Sequence, residues 1–333
     1  MRTKNRMKVA VLFGGDSPER EVSLSSGRAI CSALSEAGVG VEPISVEKPR
    51  EMLDAVGRSN ADVFFIALHG GWGEGGRLQA ALEMMGKAYT GSGPTPCAIA
   101  MDKRASKAMF VMDGVPTPRA IYLNAEKESD ESMIMRSLEA LDRWGKAVVK
   151  PCCCGSTVGV TIADSADRIR DAVMNAAEFD SSVIVEEYIP GREITVTVWE
   201  EDGKAIALPV IQIVPRSGFY TYEAKYTAGK TDYLCPAPLS PEETSRVCDA
   251  SVAAHRLLGC SVYSRVDLRL TDEGLPLVLE VNTAPGMTAT SLVPKSAAAK
   301  GWGFPELALR IAESSLALGE GRGEAKRVRR AAR

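Results

Sequence analysis

The chain has 333 residues, of which 45% are hydrophobic and 25% are charged, and its formal net charge is −3. This length suits two or three packed domains, and the charge gives no broad basic field that would attract nucleic acid. No apolar run approaches the roughly 20 residues of a membrane helix, and the N-terminus does not look like a signal peptide. We therefore expect a soluble cytoplasmic protein with neither nucleic-acid nor membrane partners.

The first hundred residues alternate between strand-like and helix-like segments. The strand-like runs are MKVAVLF, VEPISVE, ADVFFIALHG and KAYTG. Helical spacing occurs in the segment that ends at Gly38 and in EGGRLQAALEMMG. This alternation predicts a parallel sheet with functional groups at the carboxyl ends of its strands. His69 follows an apolar run at such an end, which favours a site residue over a purely structural histidine.

The middle of the chain combines predicted strands with a glycine-rich loop. Lys150 ends the strand KAVVKP and precedes the loop Gly155–Gly159, and GVTIAD and SSVIVEEYI are further strands. A phosphate site needs cations and free backbone amides, so this loop is a candidate. It does not match GxxxxGK[ST], and no GxGxxG follows the first strand. These absences argue against a P-loop ATPase and a dinucleotide dehydrogenase.

Three consecutive cysteines, Cys152–Cys154, stand directly before this loop. The eight cysteines of the chain show no CxxC spacing, and neither His69 nor His255 lies near the triplet in sequence. Structural zinc sites use four ligands in paired spacings, and neighbouring residues of an extended chain point to opposite faces. The pattern therefore argues against a metal or disulfide role for the triplet.

The last third of the chain begins with a long hairpin and a loop. REITVTVWEEDGKAIALPVIQIVP predicts the hairpin, which turns at Glu201–Gly203, and residues 215–235 lack helical or strand periodicity. A stretch of that length without structure is typical of a lid or binding loop. PEETSRVCDASVAAHRLLG and FPELALRIAESSLAL are predicted helices. The basic segment 319–333 has no apolar periodicity, so we expect a disordered tail.

The hairpin SRVDLRLTDEGLPLVLEVN carries four polar groups on one face. Arg265 and Asp267 alternate onto that face of its first strand, and Glu280 and Asn282 do the same on the second. Such groups are costly to bury without a partner, and carboxylate and amide oxygens suit Mg²⁺. An ordinary exposed face is the alternative. The turn Thr283–Met287 that follows needs special backbone geometry and favours the magnesium site.

Taken together, these segments resemble the D-alanine–D-alanine ligases of the ATP-grasp superfamily. The matching stretches are VAVLFGGDSPEREVSLSSG, ALHGGWGEGGRLQAALEMMGKAYTGSG, AMDKRASK, VVKPCCCGSTVGV, VEEYIPGREITV, YTYEAKY, SRVDLRL and LEVNTAPGMTATSLVP. They follow the family's order from about residue 8 to residue 315. Each stretch is modest alone, but together they are specific.

The resemblance implies a mixed α/β (α+β) chain with a three-domain ATP-grasp fold and an N-terminal parallel, Rossmann-like sheet. The implied domains are an N-terminal substrate domain at 1–101, a central ATP-grasp domain at 102–188 and a C-terminal catalytic domain at 189–318 with a lid at 215–235. ATP is expected between the last two domains and the D-alanines where all three meet. A homodimer is also expected, because the family usually forms one.

The implied reaction joins two D-alanine molecules into D-alanyl-D-alanine, a peptidoglycan precursor, at the expense of ATP. ATP phosphorylates the first carboxylate, and the amine of the second D-alanine attacks the resulting acyl phosphate. Two Mg²⁺ ions, with Mn²⁺ as a substitute, are expected to neutralise the ATP phosphates during the transfer.

By the same resemblance, most of the site residues receive roles. The nucleotide and metal residues are Lys103, Lys150 and Lys225 for the phosphates, Glu186 for the adenine amine, Ile189 for the purine edge through its backbone, Glu193 for the ribose, and Asp267, Glu280 and Asn282 for Mg²⁺. The substrate residues are Glu19 for the first ammonium, His69 near the substrate carboxylate side, Arg265 and the Gly286 N–H for the oxyanion, and Ser291 and the Leu292 N–H for the second carboxylate.

The acceptor is inferred from the lid. The family's counterparts of Ser156 and Tyr226 hydrogen-bond with the first-site glutamate, here Glu19, and latch the lid over the site. Relatives that make depsipeptides with D-lactate typically lack this tyrosine, so Tyr226 favours an amine acceptor. A D-alanine–D-lactate or D-alanine–D-serine ligase is the closest alternative. A ligase for other amino acids is disfavoured by these three residues, and a catalytically inactive nucleotide-binding regulator by the complete polar set on the hairpin.

Two positions depart from the family pattern. Gly75 stands where the family commonly has aspartate, and Cys152–Cys154 replace a stretch that is usually polar or charged. We interpret the triplet as the rim of the phosphate loop. A sulfur that faced the nucleotide beside lysines would have a lowered pKa and be open to alkylation.

Overall fold

Within the residues that the computed structural model describes, namely 7–216, 227, 229–288 and 290–331, the strands form three sheets. The strands are β1 (Lys8–Gly14), β2 (Gly40–Val46), β3 (Val63–Ile66), β4 (Ala120–Asn124), β5 (Ala147–Pro151), β6 (Thr161–Ala163), β7 (Ser182–Glu187), β8 (Arg192–Glu201), β9 (Lys204–Ala207), β10 (Ile211–Pro215), β11 (Thr231–Leu234), β12 (Tyr263–Leu270) and β13 (Pro276–Asn282). The helices are α1 (Arg20–Glu36), α2 (Pro49–Arg58), α3 (Gly71–Glu74), α4 (Arg77–Met84), α5 (Pro94–Met101), α6 (Lys103–Met112), α7 (Asp130–Trp144), α8 (Ala166–Phe179), α9 (Pro241–Leu257), α10 (Leu292–Lys300) and α11 (Phe304–Ala331).

The N-terminal sheet is parallel, in the order β2-β1-β3, as the alternating pattern predicts. Its central strand is buried on both faces: Val9, Val11 and Phe13 belong to one core, and Ala10 and Leu12 to the other. Double burial explains why this strand is a continuous apolar run rather than an alternating one. Glu19 follows β1 and His69 follows β3, so both residues come after the carboxyl ends of strands of this sheet.

The middle sheet is antiparallel, in the order β4-β7-β5-β6, and packs against α7 and α8. Helix α7 begins after the N-cap Ser129, whose hydroxyl accepts from the Ser132 N–H, and ends at Gly145 with a φ of 71°. The sheet brings Lys150 of β5 and Glu186 of β7 to the same end. The sequence analysis did not identify β4 or α7, which lie in a stretch without a quoted motif.

The C-terminal sheet is antiparallel, in the order β11-β10-β8-β12-β13, with β9 also paired to β8. The predicted hairpin turn at Glu201–Gly203 is present, and Asp202 and Gly203 have φ values of 50° and 73°. The other predicted hairpin is β12–β13, with a register shift between Asp267 and Leu268. This irregularity lies in the middle of the polar face, where β13 carries one extra residue, Leu279, between the partners of Asp267 and Leu268.

The two terminal sheets share one hydrophobic core. Trp199 and Tyr263 of the C-terminal sheet cluster with Leu307 and Ile311 of α11 and with the first strand. The last helix therefore packs against the N-terminal sheet, although it lies at the other end of the chain. Its backbone remains helical to Ala331, over the segment for which composition predicted disorder. This segment is rich in Ala, Glu, Lys and Arg, which are strong helix formers. A helix without an apolar face cannot pack against the core, but its backbone can still be helical.

Three local features differ from the expectations, and the first is β11, a strand at Thr231–Leu234 within the segment 215–235 that was expected to lack strand periodicity. KAYTG forms only an isolated bridge, between Phe64 and Tyr89, rather than a strand. The short helix α10, which begins after Ser291, was not predicted. None of the helices in the described part of the chain combines the length and the apolar character needed to cross a bilayer.

Gly27 lies where α1 crosses β1, and a methyl group there would meet Phe13. A Cβ at this position would be 2.2 Å from Phe13 Cγ, whereas one at Gly57 in α2 would have only Met85 Cε as a neighbour, at 3.7 Å. We expect Gly27→Ala to lower the free energy of unfolding by about 1–3 kcal/mol through overpacking. Gly57→Ala, the matched control, should be neutral or stabilising by about 0.4–1 kcal/mol. Urea denaturation measures both, and equal effects would contradict this account of the helix crossing.

Candidate functional site

One cavity of about 570 Å³ lies where the three sheets meet. Its lining contains every site residue that the sequence predicted and the structure describes. Lys225 and Tyr226 lie outside the described residues, so their roles stay predictions. The cavity combines carboxylates, lysines and an arginine from segments far apart in sequence, as a charged substrate requires.

Glu19 connects the N-terminal helix to the glycine-rich loop. It occupies the N-cap position of α1, and its Oε1 accepts a hydrogen bond from Ser156 Oγ. Gly70 and Gly155 pass close to this carboxylate, because a Cβ on either would be 3.0 or 3.2 Å from Oε2. Ser156 and its neighbour Thr157 have φ values of 51° and 64°. Such left-handed conformations cost about 1–3 kcal/mol each and cluster at functional sites.

His69 is buried and fixes the loop that follows β13. Its Nδ1 lies 3.1 Å from the Ala284 carbonyl and its Nε2 lies 3.2 Å from Ser26 Oγ. Since the carbonyl only accepts, we assign the proton to Nδ1, and Ser26 then donates to Nε2. Ser26 Oγ accepts in turn from the Met287 N–H at 3.3 Å. Burial lowers the pKa of His69, although Glu19 opposes this, so the ring is neutral and positions the turn around Gly286.

The polar face of the β12–β13 hairpin faces the cavity. Asp267 and Glu280 are directly opposite each other in the ladder, as are Arg265 and Asn282. Arg265 holds both Asp267 oxygens, with Nε–Oδ1 at 2.9 Å and Nη2–Oδ2 at 2.7 Å, and Thr195 Oγ1 also donates to Oδ1 at 2.6 Å. Opposed carboxylates repel each other unless cations lie between or beside them.

This donor set fits magnesium. Glu280 Oε2 lies 3.3 Å from Lys103 Nζ, so each of the two opposed carboxylates already has one cation beside it. Asn282 Oδ1 accepts from the Ala284 N–H at 3.0 Å and keeps a second lone pair. Carboxylate and amide oxygens on one face beside a cavity are the hard donors that Mg²⁺ uses.

Lys103 and Lys150 line the end of the cavity that contains Glu186, and a third lysine is buried behind it. Lys103 Nζ donates to the Cys154 carbonyl at 2.9 Å, and Lys150 Nζ lies 2.5 Å from Glu186 Oε2. Lys107, which the sequence analysis missed, is 1% exposed, with its Nζ 2.7 Å from Glu186 Oε1. Burial opposes the charge on Glu186, but the two lysines hold the pKa of its carboxyl below the usual value. Glu186 is therefore an ionised carboxylate inside the protein.

Glu186 also has acceptor capacity that fits an adenine amine. Lys107 Nζ lies 2.7 Å from its buried Oε1 and Lys150 Nζ lies 2.5 Å from Oε2, but each carboxylate oxygen has two lone pairs and can accept from a further donor. An exocyclic amine that entered the cavity could donate to one of the remaining lone pairs, and the adenine role of Glu186 stays a prediction.

The segment after β7 forms the floor of this end of the cavity. Ile189 is 9% exposed, and the side chain of Glu193 on β8 lies 3.6 Å from Arg269 Nη1. Arg269 also donates to the Ile189 and Gly191 carbonyls, at 3.1 and 2.6 Å. Strand β12 therefore holds this segment in place from one side.

The opposite end of the cavity is the start of α10. Ser291 is its N-cap residue, but its side chain accepts no hydrogen bond from the helix. Its Oγ accepts instead from the Thr288 N–H at 3.0 Å. The first-turn amides of a helix attract anions, so Ser291 and Leu292 present a suitable site for a carboxylate. Gly286 lies beside it, since a Cβ there would be 3.2 Å from Ser291 Oγ.

The backbone of the cysteine triplet hydrogen-bonds to Lys103 and Asp180. The Cys152 carbonyl accepts from the Lys103 N–H at 3.1 Å, and the Cys153 N–H donates to Asp180 at 2.8 Å. Burial raises the pKa of Cys152 and of Cys153 to about 12, and also raises that of Cys154. The expectation of a lowered thiol pKa is therefore wrong, because burial and the nearby acidic groups outweigh the attraction of Lys103.

Three residues in or directly behind this site were not predicted, although each lies in a stretch that resembles the family. Lys107 follows Lys103 by four residues, on one face of α6, and Arg269 continues the alternation of Arg265 and Asp267. Glu74 lies in HGGWGEGG and accepts from the Gly70 N–H at 2.8 Å. Spacing alone could have placed the first two on the correct faces. Nothing in the sequence shows that Glu74 is buried.

Comparisons with known proteins agree on one family. The family model described as "D-ala D-ala ligase C-terminus" matches residues 109–313. The chain is 47% identical over 308 residues to a D-alanine–D-alanine ligase of Anaeromyxobacter sp. (strain Fw109-5), covering 92% of this chain and 96% of that one. It is 45% identical over 313 residues to that of Gloeobacter violaceus, covering 93% and 100%. The crystal structure of D-alanine–D-alanine ligase from Bacillus anthracis complexed with ATP matches with a TM-score of 0.81 and 34% identity, covering 95% and 99%.

The ion pairs of Glu186 make a testable prediction about stability. Glu186→Gln leaves Lys107 and Lys150 close together without their anion, and we expect a loss of about 3–5 kcal/mol in the free energy of unfolding. Lys107→Met alone should cost less, because Lys150 remains paired. In the Glu186→Gln background, however, Lys107→Met should stabilise, because it removes one of two repelling charges. Urea denaturation of the four proteins measures this, with the exposed Lys127→Met as a control; an equal loss from Lys107→Met in both backgrounds would contradict the arrangement.

Glu74 makes a prediction about pH. Burial, reinforced by Glu19, raises the pKa of Glu74 from 4.5 to about 7. Between these values the folded protein keeps a proton that the unfolded chain has lost, so wild-type stability falls as the pH rises. Glu74→Gln removes this titration. We expect the mutant to gain roughly 3 kcal/mol relative to wild type from pH 4.5 to pH 7, and to change little above that. Denaturation series for both proteins test this, and a constant difference across the window would show that Glu74 titrates normally.

Proposed function

The chain belongs to the D-alanine–D-alanine ligase family, and we propose from that premise that its cavity couples ATP cleavage to the joining of two D-alanines. The fold is the three-part ATP-grasp fold of an ADP-forming, ATP-dependent ligase that serves peptidoglycan synthesis. One observation carries the assignment of the site: a single cavity contains Glu19 of the first helix, the lysines of the middle region and the polar face of the β12–β13 hairpin.

In the first step, a carboxylate oxygen of the first D-alanine attacks the γ-phosphorus of ATP, and ADP leaves. Lys103 and Lys150 reduce the repulsion between the two anions, and the proposed role of Lys225 is the same. Glu19 receives the substrate ammonium, so the amino end is oriented away from the reacting carboxylate. Ser156 already donates to Glu19 and keeps this carboxylate in place.

Asp267, Glu280 and Asn282 are proposed to hold two Mg²⁺ ions, with Mn²⁺ as a substitute. When bound, Mg²⁺ supplies positive charge to the phosphate oxygens. Arg265 now occupies both oxygens of Asp267. Once another cation pairs with Asp267, the Arg265 guanidinium can instead donate hydrogen bonds to a negatively charged acyl centre.

In the second step, the neutral amine of the second D-alanine attacks the acyl carbon, its proton passes to the departing phosphate, and the C–O bond to phosphate breaks as the peptide bond forms. Arg265 and the Gly286 N–H are the proposed donors to the oxyanion of the tetrahedral intermediate. Ser291 and the Leu292 N–H bind the second carboxylate. His69 supports this step indirectly, because its contacts with Ala284 and Ser26 bracket the Gly286 turn.

The nucleotide is bound by the remaining residues. Glu186 accepts from the adenine amine, the backbone of Ile189 reads the purine edge, and Glu193 binds the ribose hydroxyls. The proposed latch by Tyr226, and its preference for an amine acceptor, rest on the resemblance alone. We also propose, on the same basis, a homodimer that acts in the cytoplasm.

Phosphate release from ATP and Mg²⁺ tests the function. We expect release that depends on D-alanine and not on L-alanine, with D-alanyl-D-alanine as the product identified by mass, also when D-lactate is present. A depsipeptide as the main product would keep the mechanism and overturn the acceptor. Measurable ATP binding without any turnover would instead indicate the inactive regulator.

The same assay tests the polar hairpin. Asp267→Asn should reduce turnover by about 100-fold or more, because the phosphates lose part of their compensating charge. Asp272→Asn, in the exposed turn of the same hairpin, is the matched control and should leave turnover unchanged.

A further inference from the structure

Arg269 lies on the polar face of β12 but has no role in the proposed reaction. It follows Arg265 and Asp267 at every second position, so all three side chains share one face. Its side chain is 19% exposed and lines the cavity. In the β12–β8 ladder it stands directly opposite Glu193. On this face, Arg269 therefore lies at the end where the nucleotide is proposed to bind. Arg265 and Asp267 lie at the end where the reaction is proposed to occur.

Its guanidinium binds three groups within five residues of chain. Nε donates to the Ile189 carbonyl at 3.1 Å, Nη2 donates to the Gly191 carbonyl at 2.6 Å, and Nη1 lies 3.6 Å from Glu193 Oε2. A planar fork can hold three such acceptors in a fixed arrangement, whereas a lysine ammonium is a single point charge. The arrangement constrains the backbone of this segment and the Glu193 carboxylate at the same time.

The backbone of the segment is also in close contact with the end of β12. Gly191 has a φ of 113°, and a Cβ there would be 2.2 Å from the Leu270 carbonyl oxygen. Only glycine fits this close approach. The chain between β7 and β8 thus contacts β12 in two ways, through its backbone at Gly191 and through the Arg269 side chain. A substitution of Arg269 can remove the side-chain contact and leave the backbone contact in place.

We propose that Arg269 is a positioning residue for the nucleotide: it orients the Ile189 backbone toward the purine edge and the Glu193 carboxylate toward the ribose hydroxyls. This proposal rests on the nucleotide roles given above to Ile189 and Glu193. It also connects the base-reading segment to the strand that carries Arg265 and Asp267.

Arg192 provides a matched comparison on the same strand as Glu193. It is the neighbouring residue on β8, and its side chain pairs with Glu243 of α9, outside the cavity lining. Both arginines are partly buried and each pairs with a glutamate. A purely structural role for Arg269 predicts similar effects from the two substitutions, whereas the positioning role predicts an effect on nucleotide recognition from Arg269 alone.

The test compares ATP with 2′-deoxy-ATP in steady-state ligation by the full-length protein. Arg269→Met should raise KM for ATP by about 10-fold, the order of a lost hydrogen-bond set to a charged group. The kcat and the KM for D-alanine should stay within about twofold of wild type. The preference for ATP over 2′-deoxy-ATP should fall to the level of Glu193→Gln, and adding Glu193→Gln to Arg269→Met should not reduce it further. Arg192→Met should retain the wild-type preference.

The outcomes separate this proposal from the one on which it rests. If wild type prefers ATP and Arg269→Met keeps that preference, the positioning role of Arg269 is overturned while the role of Glu193 stands. If wild type uses the two nucleotides equally well, Glu193 does not read the ribose, and the proposal for Arg269 falls with it. Loss of ligation by wild type itself would overturn the proposed function.

Arg269→Lys covers the case in which Arg269→Met does not fold, which a thermal unfolding curve detects. The ammonium can still pair with Glu193 but cannot hold both carbonyls. We expect a raised KM for ATP together with a retained preference over 2′-deoxy-ATP. If Arg269→Lys had both the wild-type KM for ATP and the wild-type preference for ATP, a single charge would be sufficient. The proposed role of the planar guanidinium would then be overturned.

Discussion

The nucleotide end of the cavity depends on the burial of one carboxylate, Glu186, between Lys107 and Lys150. A charge in the protein interior must be paired and hydrogen-bonded, or its desolvation destabilises the fold. Lys107 comes from α6, and Glu186 and Lys150 come from adjacent strands of the middle sheet. Lys107 also donates to Thr117 Oγ1, which donates to the Val278 carbonyl of β13. The charges that stabilise the fold thus also place the groups that are proposed to face the nucleotide.

The same requirement explains the reacting end. Asp267 and Glu280 oppose each other across a ladder, and Arg265 and Lys103 balance their charges. A face of this kind is unfavourable as plain structure, because hydrophobic residues would pack there without a desolvation penalty. Its arrangement is consistent with a site whose anionic partners and cations are exchanged during turnover. The N-terminal region completes the site through Glu19, whose partner Ser156 lies 137 residues away.

Sequence pattern predicted the parts of the fold that have a strong period or a clear turn. The parallel N-terminal sheet, the turn at Glu201–Gly203 and the β12–β13 hairpin are confirmed by the structure. Strand β4 and helix α7 were missed although Ser129 and Gly145 mark the two ends of the helix. The helical backbone of 319–331 was missed because composition reports burial better than helicity. In the site, the resemblance supplied the roles, while spacing alone gave only the shared face of Arg265, Asp267, Glu280 and Asn282.

By itself, the sequence determined which chemical groups are present and which of them share a strand or helix face, because side-chain periodicity is a local property. It also determined the family, through several motifs in a fixed order. Only the tertiary structure decided which charges from distant segments are paired, because sequence does not show which segments the fold brings together. It placed Lys107 against Glu186, neutral His69 against Ala284, and Arg269 against the segment from Ile189 to Glu193. It also raised the thiol pKa values of Cys152–Cys154, because burial is a property of the packed fold and not of neighbouring residues in sequence.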